Sequence, residues 1–311
     1  MSQTMPEVRY QEEIESIEGT VFAPDQRHRT DDLRSIWDEI GRLGLEKYVA
    51  EFEARGYTII PPDKLAPAEF IDRIREKILD ISERRNGVRP DLYGASTQGS
   101  GANPQGASLF YLLYEDPVFQ RAVVNPTLLA LAYYALGKSA VLYNCMSLLK
   151  GPGGQDLPLH SDNLMIPAPF APYAQIVNFT WLLTDYSREN GATCFVPGSH
   201  RYARHPEPGE GVAEREAAEA PAGSMLMWHG NTWHGGLAKQ TPGLRMAFLT
   251  GMCRSYIRPE ENYLENVTPQ ILERNPAAFA QLVGVNHKFG WTTEGPDYTA
   301  AGHWPGKSQW D

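Results

Sequence analysis

Eight histidines occur among the 311 residues, and His160 stands two positions before a carboxylate, Asp162. In an extended segment residues i and i+2 project to the same face, so His160-Ser161-Asp162 aims an imidazole and a carboxylate at one point. A second imidazole from a distant strand would complete two histidines and one carboxylate on one face of a metal. His234, in Trp233-His234-Gly235, is the informative one, with His229 a rival five residues earlier. Three coordination positions would stay open opposite, which is the ligand set of a non-heme Fe(II) oxygenase able to take a bidentate 2-oxo acid and O2. The spacing alone equally fits a turn histidine hydrogen-bonded by its neighbouring aspartate.

Further motifs stand in order along the chain. Pro158-Leu159-His160-Ser161-Asp162 is succeeded by Trp181-Leu182-Leu183-Thr184-Asp185, Glu189-Asn190-Gly191, Pro197-Gly198-Ser199-His200 and Trp233-His234-Gly235, with Arg245 eleven residues past His234. In these motifs residues 57–256 resemble the phytanoyl-CoA dioxygenase family of Fe(II)/2-oxoglutarate oxygenases. The resemblance implies that His160, Asp162 and His234 are the iron ligands and that Arg245 holds the distal carboxylate of 2-oxoglutarate. A guanidinium suits that role, being always charged and able to form a bidentate fork. Arg245 also sits among Leu244, Met246, Ala247, Phe248 and Leu249, where a charge needs a partner. Trp181 matches a family tryptophan near the co-substrate, and a core tryptophan in a strand is the competing account.

Only His234 combines a following glycine with an arginine eleven residues on, which favours it over His229. The resemblance makes the Pro-Gly-Ser-His turn at His200 structural. Gly236 stands where the family often carries serine or a similar small polar residue, removing one hydrogen bond to 2-oxoglutarate. The activity implied is a dioxygenase that hydroxylates a small organic molecule with release of succinate and CO2, using Fe(II), 2-oxoglutarate and O2. Desaturation or cyclisation are alternative outcomes of the same chemistry. Asp162 argues against halogenation. A zinc hydrolase on the same residues and a non-catalytic jelly-roll binding protein are the competing classes.

The elements that must position these residues divide the chain. Residues 1–30 have weak periodicity and read as an arm. From Thr30 the pattern is helical, with Asp31 or Asp32 as cap and Leu33, Ile36, Trp37, Ile40 and Leu43 on one stripe. Residues 45–52 continue it to a stop at Gly56, and residues 57–60 read as a short strand. A helix over 67–85 carries Phe70, Ile74, Ile78 and Ile81. Residues 86–106 form a Gly-rich loop, and short helices are expected at 117–123 and 126–136. Strands are expected at 140–150, 174–184, 191–196, 224–228 and 244–256, bounded by turns at 151–154, 190–191, 197–198 and 235–236. This spacing predicts a mainly β fold with flanking helices around a double-stranded β-helix, a cupin-like jelly roll. We therefore expect one domain over 1–311: arm 1–30, helical support 31–136, jelly roll 137–256, and C-terminal helices and tail 257–311. Residues 205–221 read as an exposed insertion.

Composition limits the remaining classes. Thirty-eight acids against 28 bases give a net charge of −10, which argues against a nucleic-acid partner. No stretch approaches the apolar length of a membrane span, and no secretory signal is visible. Cys145, Cys194 and Cys253 lie in apolar runs, as expected of buried thiols in a reducing cytoplasm. The apolar loop at residues 163–173 directly follows Asp162 and points to an apolar or mixed small-molecule substrate. No basic cluster is visible near it in sequence, which disfavours a CoA thioester. The helical stripes could be buried against the sheet or against a second subunit, leaving a homo-oligomer open.

Overall fold

The computed structural model describes residues 30–94, 107–153, 155–163, 165–285, 291–292 and 295–296. The expected arm, most of the Gly-rich loop and the C-terminal tail lie outside the described residues. Helices α1 (Thr30–Leu43), α2 (Glu46–Arg55), α3 (Ala68–Asn86), α4 (Pro117–Val123) and α5 (Pro126–Leu136) precede the long strands. Short helices α6 (Pro269–Glu273) and α7 (Ala277–Leu282) follow them. The strands are β1 (Tyr57–Ile60), β2 (Ala107–Leu109), β3 (Val141–Lys150), β4 (Leu157–His160), β5 (Ile176–Leu182) and β6 (Thr193–Phe195). They continue as β7 (Glu216–Ala217), β8 (Met225–His229), β9 (His234–Gly236) and β10 (Arg245–Cys253), with β11 (Trp291–Thr292) and β12 (Gly295–Pro296) forming a separate small ribbon.

Two antiparallel sheets make the jelly-roll core. The major sheet runs β1-β8-β5-β10-β3-β2, and the minor sheet runs β4-β9-β6-β7. Every residue of β5 is buried, because both faces of this strand are covered. Val177, Phe179 and Trp181 face the helices, and Leu182 faces the minor sheet. The helical layer packs on the outer face through Ile74, Ile78, Phe119, Leu131 and Phe279, all essentially inaccessible. The space between the sheets is walled by Tyr57, Leu182, Tyr186, Phe195, Leu226, Trp228 and Ala247.

Several local expectations need correction. Helix α1 begins at Thr30, so Asp31 and Asp32 lie inside its first turn rather than before it. Its stripe is only half used: Ile36 and Ile40 are buried, whereas Leu33 and Trp37 are exposed. Gly235 and Gly236 form strand β9 and not a turn. A Cβ on Gly235 would overlap the Leu157 carbonyl, so glycine permits the close approach of β4 and β9. The segment 205–221 is not wholly exposed, since Glu216–Ala217 pairs with β6 and Ala218 is buried. Helix α2 ends as expected at Gly56, whose φ of +80° lets its N–H reach the Phe52 carbonyl at 2.8 Å. All three cysteines are free and buried.

Candidate metal centre

The minor sheet brings the two informative histidines together. Strands β4 and β9 pair antiparallel with His160 directly opposite His234. Directly opposed residues have neighbouring Cβ atoms, and the two ring centroids lie 4.3 Å apart. Asp162, just past β4, completes the group, and one ligand atom from each of the three lies within 4.8 Å of the others. Asp162 Oδ1 is 3.9 Å from His160 Nε2 and 3.6 Å from His234 Nε2.

Hydrogen bonds set the direction of each lone pair. His160 Nδ1 is 2.9 Å from the Pro158 carbonyl and His234 Nδ1 is 3.1 Å from the Thr232 carbonyl. A carbonyl only accepts, so each Nδ1 carries the proton and each Nε2 offers a lone pair to the centre. Asp162 Oδ2 accepts from Asn178 Nδ2 at 2.7 Å and Trp228 Nε1 at 2.9 Å, which turns Oδ1 toward the two Nε2 atoms. The Asp162 amide is fixed by the Gly230 carbonyl at 2.9 Å. Burial, opposed by the Asp162 charge and reinforced by His160, brings His234 down to about 4, so its ring is neutral at pH 7. Two imidazole Nε2 atoms and a carboxylate oxygen turned toward one point fit a divalent transition metal.

Arg245 opens β10 on the inter-sheet face and is 4% exposed. Its Nη1 donates to Tyr186 Oη at 2.7 Å, and its Nε has no partner. No acid pairs with it among the described residues. Lys150, at the end of β3, is its register partner. The Lys150 Nζ donates to the Leu237 carbonyl at 2.5 Å and lies 3.6 Å from where a Gly236 Cβ would stand. Burial and the Arg245 charge push Lys150 down to about 8. Two buried cations with no acid paired to either among the described residues are costly unless an anion joins them, so this end of the site fits a carboxylate.

Trp181 is not brought to this site. Its ring lies in the helix-side core, 6.1 Å from Phe70. Strand parity explains this: Asn178 reaches Asp162, so Thr180 and Leu182 share its inward face and Trp181 points outward. The buried Thr180 Oγ1, which has no partner, occupies the inward position instead. His229 is likewise turned away, stacked on Phe52 at 6.0 Å and held down to about 3 by burial, with His200 and Arg254 adding to it. His200 belongs to the turn Ser199–Tyr202. Sequence reasoning missed Asn178, Trp228, Lys150, Tyr186 and Thr180, because only the pairing of strands shows that they face the centre.

The two-sheet core with a 2-His-1-carboxylate cluster on its inner face defines the class: a jelly-roll protein with a side-chain set that could hold a metal. The phytanoyl-CoA dioxygenase (PhyH) model matches residues 52–247, and the chain belongs to that family. Among curated relatives, Dioxygenase af480 of Aspergillus fumigatus is 29% identical over 196 residues, which is 62% of this chain and 63% of that protein. Among solved structures, HygX from Streptomyces hygroscopicus, with nickel and 2-oxoglutarate bound, superposes with a TM-score of 0.55 at 21% identity, covering 72% of this chain and 92% of HygX. SnoN, a non-heme alpha-ketoglutarate-dependent epimerase from nogalamycin biosynthesis, gives 0.52 at 21% identity, covering 69% and 84%. These two likenesses concern the fold. No helix among the described residues is long and apolar enough to cross a membrane.

Proposed function

We propose that the protein is an Fe(II)- and 2-oxoglutarate-dependent dioxygenase acting on a small apolar or mixed organic molecule, with release of succinate and CO2. The observation that carries this reading is the convergent His160, Asp162 and His234 set on the minor sheet together with a buried Arg245, paired with no acid among the described residues, on the facing side of the major sheet. When bound, the iron and its 2-oxo acid supply the O2-activating chemistry.

The protein's own groups have separate tasks. His160 Nε2, His234 Nε2 and Asp162 Oδ1 hold the metal. Asn178 and Trp228 fix the carboxylate through its other oxygen, the kind of support that sets ligand orientation. Arg245 and Lys150 bind the distal carboxylate, with Tyr186 steadying the guanidinium. Lys150 supplies there the polar contact that Gly236, lacking a side chain, does not. Substrate is chosen by the loop after Asp162, where Met165 is 93% exposed and Phe170 is buried against His205 at 4.9 Å. The end of this loop lies beside Arg201 and Arg254, basic groups that sequence distance concealed.

Anaerobic addition of Fe(II) and 2-oxoglutarate is expected to give a weak visible charge-transfer band. His160→Ala, Asp162→Ala and His234→Ala should each abolish it, and a band unchanged in all three would refute the ligand assignment. A substrate screen by succinate release, with mass spectrometry for a +16 product, identifies the organic substrate and separates hydroxylation from desaturation or cyclisation. Zinc in the purified chain, with no oxoglutarate-dependent oxygen uptake, would favour a hydrolase.

A further inference from the structure

A cleft of about 520 Å³ lies on the helix-packed side of the major sheet, within the roughly 300–1,000 Å³ typical of small-molecule sites. Strand β8 divides it from the metal centre. Trp228 turns inward to Asp162, and His229, the next residue, turns the opposite way against Phe52 of α2. Phe52, Tyr134 and Tyr173 give the cleft aromatic walls, and His229, Arg201 and Arg254 give it a polar end.

His229 is 5% exposed, and its Nδ1 accepts the Asn231 N–H at 3.0 Å. The ring proton therefore sits on Nε2, where no group among the described residues accepts it. Burial keeps this ring neutral, so it presents one fixed donor at the cleft. Arg201 uses Nη2 on the Glu53 carbonyl at 2.7 Å. Arg254 uses Nε on the Ala174 carbonyl at 2.8 Å and Nη2 on the Ala135 carbonyl at 3.2 Å, and lies 4.8 Å from the Tyr173 ring centroid. No carboxylate pairs with either guanidinium among the described residues. The acid of the lining, Glu53, accepts from Tyr134 Oη at 3.0 Å. Two cations against one acid leave a single uncompensated positive charge beside an unused donor.

We propose that this cleft binds a small organic monoanion, an aromatic carboxylate, separately from the metal centre. Its carboxylate meets His229 Nε2, Arg254 and Arg201, and its ring lies along Phe52, Tyr134 and Tyr173. A guanidinium and a neutral N–H donor suit the planar, two-oxygen acceptor, and the walls bury the apolar body.

The test is calorimetric titration of naphthalene-2-carboxylate into the full chain, with naphthalene-2-methanol as the uncharged control. It is run both metal-free and with Ni(II) plus 2-oxoglutarate, so that it does not depend on the proposed oxygenase activity. The expected result is saturable one-to-one binding below about 1 mM, equal in both states and about tenfold weaker for the alcohol. Arg201→Gln and His229→Phe should each weaken the carboxylate about tenfold, whereas His229→Gln, which keeps an N–H in reach, stays within about threefold. Arg201 is exposed, so its variant decides the matter if His229→Phe fails to fold. Absence of saturable binding, equal affinity for the alcohol, loss of binding on filling the metal centre, or indifference to Arg201→Gln overturns the proposal.

Discussion

Replacing Lys150 by Met isolates the second cation of the proposed 2-oxoglutarate site. The side chain is 2% exposed, and Met fills similar volume without charge, so the fold is kept. A hydrogen bond to a charged group contributes about 1.5–3 kcal/mol, so the dissociation constant of 2-oxoglutarate should rise about 10- to 150-fold. The pH profile supplies an independent signature. Lys150 without a bound anion titrates at about 8, below the usual 10.5, through burial and the Arg245 charge, with Asp156 opposing. A bound carboxylate stabilises the ammonium, so above pH 8 binding must take up a proton. The dissociation constant should then climb with pH, approaching about tenfold per unit. Lys150→Arg stays charged and should flatten that profile. Lys239, also near 8 beside Arg245, is engaged by Asn190, Thr241 and the Pro242 carbonyl, and it is intact in both variants. The assay is calorimetric titration of 2-oxoglutarate into the nickel-loaded chain from pH 7 to about 10. Affinity within about threefold of the parent in Lys150→Met, with the profile unchanged, would refute the reasoning.

The geometry sets three further outcomes. Asn178→Leu and Trp228→Phe each remove one of the two hydrogen bonds to Asp162 Oδ2 and should weaken Fe(II) or Ni(II) binding about 10- to 100-fold in calorimetry. Gly235→Ala sets a methyl against the Leu157 carbonyl, a backbone atom; it should cost about 1–3 kcal/mol in urea unfolding and weaken metal binding, because it parts β4 from β9. In the metal-free chain, His229 and His234 lie near 3 and 4 against an ordinary 6.5. Between those values the unfolded state binds more protons, so stability falls as pH drops from 6.5 toward 3; His229→Gln should show a shallower loss in thermal melts.

Legibility in the sequence varies with the kind of signal. Helices α4 and α5 are readable because proline at the first helical position and Asp116 or Asn125 before it define their starts. Strands β5 and β10 are readable as apolar runs. Strands β4 and β9 are not, being four and three residues long, with Pro158 in one and two glycines in the other imitating a turn. Yet these two present the histidines. The ordered motifs find His160, Asp162 and His234 without showing why they meet. Trp181 misses the site by a single residue: tryptophan marks an aromatic in a strand, and only the anchoring of Asn178 on Asp162 fixes which parity faces inward. Lys150 gives no signal, since a lysine at a strand end ordinarily meets solvent.

The polar groups between the two sheets are electrostatically lopsided, and that asymmetry argues for a ligand with two different ends. At one end the His234 ring is neutral at pH 7 and a carboxylate stands beside it, so a divalent cation is welcome there. At the other, Arg245 and Lys150 are register partners across β10 and β3, and the guanidinium disfavours the charged form of the lysine. The nearby acid does little to reverse that penalty: Asp156 is held by Arg215 at 2.8 Å and by the Ala238 amide at 2.7 Å. A metal ion alone satisfies the first end and leaves the second uncompensated. An anion reaching from the metal to Arg245 satisfies both, and a buried Thr180 hydroxyl without a partner stands on the inward face of the major sheet between them. The arrangement therefore suits a molecule that chelates at one terminus and is negatively charged at the other, which is the form of the 2-oxo dicarboxylate proposed above.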